Sequence, residues 1–368
     1  MSPCPVQKDL ANALSPLHPR QRDPVALLVL AVLVTPTLSL QQLGREASIG
    51  TNKKPRSLTK QFDRLLSSLA IDPFDLWRAW ALYLLRDASS VYVAIDWTSV
   101  QGDQFRVLMA AVCVPGRAIP IAALVIPTSK RKARQVHTEA ELLAKLRLVV
   151  PHGISLTILA DRGFDGIAFR RAVVSHGFGY IVRARVNLRA RHDGHRWQRL
   201  RSLCPPKGEK AKSYEEVLLT EKRDKVPAVV AKYAAEAKEP WLLLTTLAAT
   251  TEADAEAVCT GYSHRFLIEE LFKDLKNVRF GMGLESLSIG NPRRLERLLP
   301  IVGMAYTLIR ATGELAKRAG LDKDFSTRGA KQLKISTFSL GRFHVRATPS
   351  MLQEAFQHVP ALHFLSPP

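Results

Sequence analysis

The apolar positions divide the chain into a helical first part and a strand-rich remainder. Up to about residue 87 the pattern is helical. Val25–Val34 is a continuous apolar run, Ser39-Leu40-Gln41-Gln42-Leu43 reads as a short capped helix, and Ser57–Leu69 is amphipathic. Pro73–Leu85 carries Trp77, Trp80 and Tyr83 at helical spacing, which suits a core better than a base-stacking surface. From Ser90 the period changes. Val91–Ile95 runs into Asp96-Trp97-Thr98-Ser99, and Phe105–Val114 and Ala118–Ile126 follow across short turns, as in an antiparallel meander. A helix over Thr138–Leu148 leads past Pro151 into a buried strand, Ser155–Ala160. That strand delivers Asp161 and then Arg162-Gly163-Phe164-Asp165-Gly166, before a helix at Ile167–His176 and a strand at Tyr180–Ala184.

Three strands, a helix and a further strand is the order of an RNase H-like mixed α/β sheet with flanking helices. An Arg- and Lys-rich segment from about 186 to 240 interrupts it, with short β-like pieces at His195–Trp197, Glu216–Thr220 and Val226–Lys232. It reads as a β-rich insertion rather than a linker. Trp241-Leu242-Leu243-Leu244-Thr245 resumes a buried strand, and a helix begins near Thr251–Glu252. A long helix then runs from Pro292 to about Ala319, followed by a basic, irregular tail with a short helix near Met351–His358. The expected organisation is an α-helical domain over 1–87, an RNase H-like domain over 88–290 that holds the insertion, and a helical and basic region over 291–368.

Two strand ends and one helix carry the candidate chemistry. Asp96 and Asp161 each follow an apolar strand, and if those strands are neighbours the carboxylates lie side by side at the sheet edge. A single Asp in such a place is often only a turn former. At roughly 100° per residue, Tyr262, Arg265, Glu269 and Lys276 share one narrow stripe of the Thr260–Asn277 helix. Leu267, Ile268, Leu271 and Leu275 occupy a different face suited to burial. Glu269 is thus flanked by two cations and a phenol. An ordinary surface pair between Glu269 and Lys273 is the plain alternative.

Composition adds a partner. With 53 Lys and Arg against 33 Asp and Glu, the formal charge is +20, which points to a polyanion and to nucleic acid ahead of a membrane surface. The short helices around the basic turn Lys53-Lys54-Pro55-Arg56 resemble a helix-turn-helix reader, although any small helical bundle presents the same pattern. Lys130–Arg134 and Arg328–Arg346 suit phosphates or solvent equally. Val25–Val34 is too short to span a bilayer and follows a polar, Pro-containing start unlike a signal peptide, so no membrane is expected. Cys4, Cys113, Cys204 and Cys259 are far apart without CxxC spacing, which argues against a zinc site or disulfide framework and fits a reducing cytosol.

Together these residues resemble the DDE transposases of bacterial insertion sequences, specifically the insertion-sequence-four family. Its hallmark helix carries Tyr, two residues, Arg, three residues, Glu, six residues, Lys, and Tyr262, Arg265, Glu269 and Lys276 match it without a gap. Asp96-Trp97-Thr98 is similar to the family's first acidic motif and Leu159–Gly166, LADRGFDG, to its second. Phe266 stands where the family commonly has Trp. The resemblance covers about residues 90 to 290. It implies an enzyme that binds terminal inverted repeats, cleaves transposon ends by metal-dependent phosphodiester hydrolysis, often through a DNA hairpin, and joins them to target DNA.

It further implies Asp96, Asp161 and Glu269 as the catalytic carboxylates and the ligands of two Mg²⁺ ions, with Mn²⁺ as a substitute. Carboxylate-held Mg²⁺ is what in-line phosphodiester cleavage calls for. Tyr262, Arg265 and Lys276 would contact phosphates, and Trp241 would stack a flipped base, unless it merely caps a core strand. The implied partners are double-stranded DNA, as transposon ends and target, and a second copy of the chain in a homodimer on DNA. The long helix and basic tail are available for contacts between subunits. The implied setting is the bacterial cytoplasm, in association with the nucleoid. Two other readings remain: an RNase H-like nuclease that cleaves without joining, and a non-catalytic DNA-binding descendant. The insertion and the Tyr–Arg–Glu–Lys helix weigh against the first, and the three carboxylates against the second.

Overall fold

The computed structural model describes residues 5–49, 51–192, 194, 196–220, 224–325 and 335–367. Its N-terminal part consists of α1 (Pro5–Ala13), α2 (Pro19–Val34), α3 (Leu40–Ile49), α4 (Pro55–Ser67) and α5 (Pro73–Leu84). Helices α2, α4 and α5 each begin on a proline, where a missing N–H costs nothing and the fixed φ favours the first turn. Asp72 caps α5 by accepting from the Phe74 amide at 2.9 Å. Trp77 and Trp80 are fully buried, and Tyr83 stacks on Phe356 with ring centroids 4.9 Å apart. These aromatics are core, as their spacing suggested. Helix α1, whose Val6 and Leu10 are buried, falls within the stretch read as helical but was not foreseen as a separate element.

A ten-stranded mixed sheet follows. Its strands are β1 (Ser90–Val100), β2 (Phe105–Val114), β3 (Arg117–Pro127), β4 (Ser155–Ala160), β5 (Gly179–Arg183), β6 (Arg189–Arg191), β7 (Gln198–Arg199), β8 (Lys212–Leu219), β9 (Asp224–Lys232) and β10 (Trp241–Thr245). Helix α6 (Arg131–Val149) connects β3 to β4, and α7 (Ile167–Ser175) connects β4 to β5. The spatial order is β3-β2-β1-β4-β5-β10-β9-β8-β6-β7, with β1, β4 and β5 parallel and the remaining pairs antiparallel. The expected meander, crossover helix and parallel strand are all present, giving the RNase H-like arrangement. Near-continuous apolar runs in β1 to β4 reflect burial on both faces.

Two boundaries differ from the sequence reading. The basic stretch expected as a loop is helical from Arg131, because α6 begins there rather than at Thr138. The insertion does not interrupt the sheet. It leaves through β5 and returns through β10, which are antiparallel neighbours, and β9, β8, β6 and β7 continue the same ladder outward. An exposed β10 edge would leave a row of unpaired backbone groups, and the insertion pairs them. His195 lies outside the described residues, and Arg196 and Trp197 are not in a strand. The pairing falls instead on Arg189–Arg199 and Ala190–Gln198. The buried ion pair of Arg170 with Asp224 fastens the insertion to α7.

After β10 come α8 (Glu252–Ser263), α9 (Leu267–Lys276), α10 (Pro292–Arg318), α11 (Thr337–Ala347) and α12 (Pro349–His358). Helix α10 is the spine of the molecule. It packs on β3 and also on α2, α4, α5, α11 and α12, and every residue from Leu295 to Gly313 is buried. The chain itself covers Leu295–Gly313, which leaves only the ends of this helix open to the expected contacts between subunits. Arg297 donates from within it to the carbonyls of Ile71 at 2.9 Å and Leu66 at 3.2 Å, tying the N-terminal helices to α10. The tail is more regular than expected, since α11 covers Thr337–Ala347; residues 328–334 of the basic stretch lie outside the described residues. Cys113, Cys204 and Cys259 are free, and Cys4 lies outside the described residues. No described helix is long and apolar enough to cross a membrane.

Helices α10 and α11 cross backbone to backbone at Gly313 and Gly341. A Cβ on Gly313 would collide with the Thr337 carbonyl, and one on Gly341 with the Ile309 carbonyl. Neither obstacle can rotate away. Gly313→Ala and Gly341→Ala should each destabilise the fold by about 3 kcal/mol, the upper range for overpacking. Thermal melts read this directly. Wild-type melting in both variants would mean that α11 is not seated on α10.

Candidate active site

Strand register brings the first two carboxylates together. The β1–β4 pairing ends at Ala94 with Leu159, and Asp96 and Asp161 each stand two residues beyond that pair. On parallel neighbours this puts both side chains at the same height, and a period of two puts them on the same face. Asp96 is not at a strand exit, however. Strand β1 continues to Val100 in antiparallel pairing with β2, so only its β4 side is open there. Asp161 does end its strand. Its Oδ1 accepts from the Gly163 amide at 2.8 Å, opening a 3₁₀ turn. A Cβ on Gly163 would crowd that same oxygen at 2.9 Å, which explains the glycine.

The third carboxylate arrives on a helical path that is not uniform. Thr251 and Asp254 form a capping box at the start of α8, near the expected position. A 3₁₀ turn over His264–Phe266 then separates α8 from α9. This turn places Arg265 between two acids. Its Nη1 lies 3.3 Å from Asp96 Oδ2, and its Nη2 is paired with Glu269 Oε1. The plain alternative for Glu269 does not hold: Lys273 pairs with Glu270 at 2.5 Å. Ile268, Leu271 and Leu275 are buried as expected, with Leu267 half-buried. Lys276 points back to β1, its Nζ 3.4 Å from Thr98 Oγ1.

Tyr262 is buried, with its ring edge-on to Trp241 at 5.0 Å. Half-buried Trp241 also lies 6.3 Å from Phe266, in a roughly stacked orientation, and the Arg265 guanidinium sits 4.5 Å from the Phe266 ring centroid. Trp241, Tyr262 and Phe266 therefore form an aromatic wall beside the acids. Phe266, at 41 % exposure, is its most open member.

Electrostatics single out Asp96. Burial, reinforced by Asp161, pushes its carboxyl up to about 6; the Trp97 amide and Arg265 only partly oppose this, and Glu269 adds to it. Arg265 is itself buried. Burial disfavours its charge, but Tyr262, Glu269 and Asp96 outweigh that, so its pKa lies above the usual arginine value. The donor chemistry fits a hard divalent cation, because the acids offer only oxygen and Asp96 lacks sufficient counter-charge. Among the described residues, no three His, Cys, Asp or Glu side chains converge on one point, and Glu269 is held by Arg265. An ion coordinated by all three acids requires Glu269 to exchange its arginine for the metal.

Three further acids position the site and were missed in the sequence. Glu139 on α6 is buried, accepts from Trp97 Nε1 at 3.1 Å and Gln135 Nε2 at 2.9 Å, and has its pKa raised by burial, with Asp161 adding to the effect. It falls in line with Leu142, Leu143 and Leu146, so a charge on the apolar stripe was the available signal. Asp165, inside LADRGFDG, accepts from the backbone and side chain of Arg185 at 3.0 and 2.9 Å. Asp274 accepts from Arg117 Nε at 2.8 Å and Tyr306 Oη at 3.1 Å, clamping the end of α9 to the β2–β3 turn and α10. Only the fold brings these partners together.

The raised Asp96 has a consequence for stability. A carboxyl whose folded pKa exceeds its unfolded value contributes fully below the unfolded value and loses that contribution as pH rises through about 6. Asp96→Asn keeps the shape and removes the charge. In chelator, it should be more stable than wild type at pH 8 by about 3 kcal/mol, with the gap narrowing below pH 6 and closing toward about pH 4. Thermal melts at the two pH values check this. A gap that does not change with pH would show that Asp96 ionises as freely in the folded chain as in the unfolded one.

No curated protein matches the chain. The family model for the transposase DDE domain matches residues 88–308, more than half of the 368 residues. The match runs from the segment before β1 through most of α10 and includes all three candidate carboxylates. On this evidence of fold, span and acidic constellation, the chain belongs to the transposase DDE domain family.

Proposed function

We propose that this transposase is of the insertion-sequence-four kind, recognised by Tyr262, Arg265, Glu269 and Lys276. It binds the terminal inverted repeats of a transposon, cuts the ends and joins them to target DNA, with a hairpin on the cut end as the intermediate. The observation that carries this reading is the equivalent position of Asp96 and Asp161 beyond the β1–β4 pairing, with Glu269 linked to Asp96 through Arg265. The region 1–87 reads the ends, 88–290 performs the chemistry with its insertion over 186–240, and 291–368 braces the two. The working species is a homodimer on DNA, since joining two ends to one target needs two acidic sites. The setting is the bacterial cytoplasm, at the nucleoid.

Asp96, Asp161 and Glu269 would hold two Mg²⁺ ions, or Mn²⁺ in their place. When bound, these ions supply an activated water and charge relief on the leaving oxygen. The chain's own residues do the rest. Arg265, released by Glu269, carries a guanidinium whose fork matches a phosphate. Lys276 places a second cation beside Thr98 for the adjoining phosphate. Tyr262, assigned to phosphate contact by its motif, is fully buried in this structure and backs Trp241 and Arg265. Trp241 offers an aromatic surface for an unstacked base, with Phe266 extending it.

Asp96→Ala, Asp161→Ala and Glu269→Ala should each reduce end cleavage by at least about a thousandfold while leaving binding of a terminal-repeat duplex within a few-fold. Wild-type cleavage by any of them removes that residue from the site. Mg²⁺ should raise the wild-type melting temperature, and Asp96→Ala should abolish the shift; an equal shift in the variant would mean that the ion binds elsewhere. Strand transfer, cleavage alone or binding alone by wild type separates the transposase from a nuclease or a non-catalytic descendant. With a charge of +20, duplex affinity should fall steeply with salt. Affinity that is flat across a salt titration would count against DNA as the partner.

A further inference from the structure

We propose that the recess between the loop after α9 and helix α11 binds an unpaired nucleotide, gripping its phosphate with arginines and stacking its base on phenylalanine. The proposal rests on the reading that this chain handles DNA, but it concerns a site separate from the acids and from Trp241. The recess has a volume of about 530 Å³ and is lined by Arg279, Phe280, Ser339, Arg342, Phe343 and Arg346, among others, with no carboxylate among its described lining residues. The sequence between Asp324 and Glu354 also contains no acid.

Among the described residues, no acid pairs with these arginines. The Arg279 guanidinium lies 5.0 Å from the Phe280 ring centroid. Arg346 donates to the Val34 carbonyl, from Nε at 3.0 Å. Arg342 has a buried Nη1 without a hydrogen-bond partner, and burial together with Arg346 lowers its pKa. A half-buried guanidinium with an unpartnered Nη1, beside two further arginines, is a deficit that an anion corrects.

The phenylalanines decide which anion. Phe280 is 62 % exposed and Phe343 49 % exposed, both on the rim of a basic recess. Phe280 is presented by a built turn: Asn277 Oδ1 accepts from the amides of Arg279 at 2.9 Å and Phe280 at 2.8 Å. Gly281 in that turn leaves no room for a Cβ against the Asp274 carbonyl. Phe343 is braced edge-on by Phe325 at 5.0 Å. Paired DNA offers phosphates but keeps its base faces stacked, so exposed rings gain nothing from it. An unpaired nucleotide satisfies both the rings and the guanidinium groups. Arg279 lies three residues beyond Lys276, so the same segment serves the active site and the recess. A single strand freed at the cut is the occupant that this placement favours.

The test uses the full chain and a fluorescent oligothymidylate of about ten nucleotides, a length within the usual single-strand site range, beside a non-specific duplex. Phe280→Ala and Phe343→Ala alter exposed side chains, and their melting temperatures should stay at the wild-type value. Each should weaken oligothymidylate binding about tenfold, in line with the loss of one stacked base, and leave duplex affinity unchanged. Arg279→Ala should weaken oligothymidylate and flatten its salt dependence. Unchanged single-strand binding in both Phe variants overturns the proposal, as does an equal loss on single strand and duplex. Displacement of oligothymidylate by poly-glutamate, with the same sensitivity to the Phe variants, would assign the recess to an acidic peptide instead. If wild type binds neither DNA, the transposase reading fails as well; duplex binding without a Phe effect sinks this inference alone.

Discussion

The parallel pairing of β1 with β4 is the constraint on which the rest depends. Parallel neighbours cannot be joined by a hairpin, so α6 must cross over, and both faces of the sheet must be covered by helices. Helices α5, α6, α9 and α10 meet that demand around β3 and β1. The same pairing puts Asp96 beside Asp161, and two partly buried carboxylates so placed repel each other. The sheet thus creates both the site and its electrostatic problem.

Arg265 is the answer present in this structure. It approaches Asp96 and pairs with Glu269, so one guanidinium offsets charge from two directions. Taking a cation out of water costs several kcal/mol, which only close pairing repays. Arg265 reaches this place because the 3₁₀ turn at 264–266 tightens the helical path, and because Asp274 locks the far end of α9 to Arg117 and Tyr306. A divalent cation would compete with Arg265 for the same acids. In this structure the arginine therefore holds the place beside the acids that such a cation would take.

Much of this was legible in the sequence, for reasons specific to each element. The apolar runs of β1 to β4 are long because both faces are buried, and the Tyr–Arg–Glu–Lys stripe survives the 3₁₀ turn because one tightened turn shifts it only slightly. What stayed hidden depends on long-range partners. Glu139 stands out as a charge on the apolar stripe of α6, but the Trp97 that it holds comes from a distant strand. The continuation of β1 past Asp96 is decided by β2, whose Arg106 and Val107 pair with Ser99 and Thr98. The full burial of α10 depends on the number of elements packed around it: its apolar Pro300–Ile309 run signals a core, but the arginines and Glu296 on either side of that run do not. In the tail, α11 has no long apolar run because part of its contact with α10 is made by glycine backbone, beside Phe338 stacked on Tyr306.

One topological detail bears on the history of the chain. The segment between β5 and β10 departs and returns across a single rung, where the Ala184 amide donates to the Leu242 carbonyl at 2.7 Å. A module whose ends already touch can be lost, gained or exchanged as an in-frame cassette without re-threading the strands beneath it. Its ion pairs with α7 and α8, Arg170–Asp224 and Lys232–Glu256, are then the seams that any replacement must rebuild. Diversity among such enzymes can accumulate at that junction while the acidic end of the sheet stays untouched.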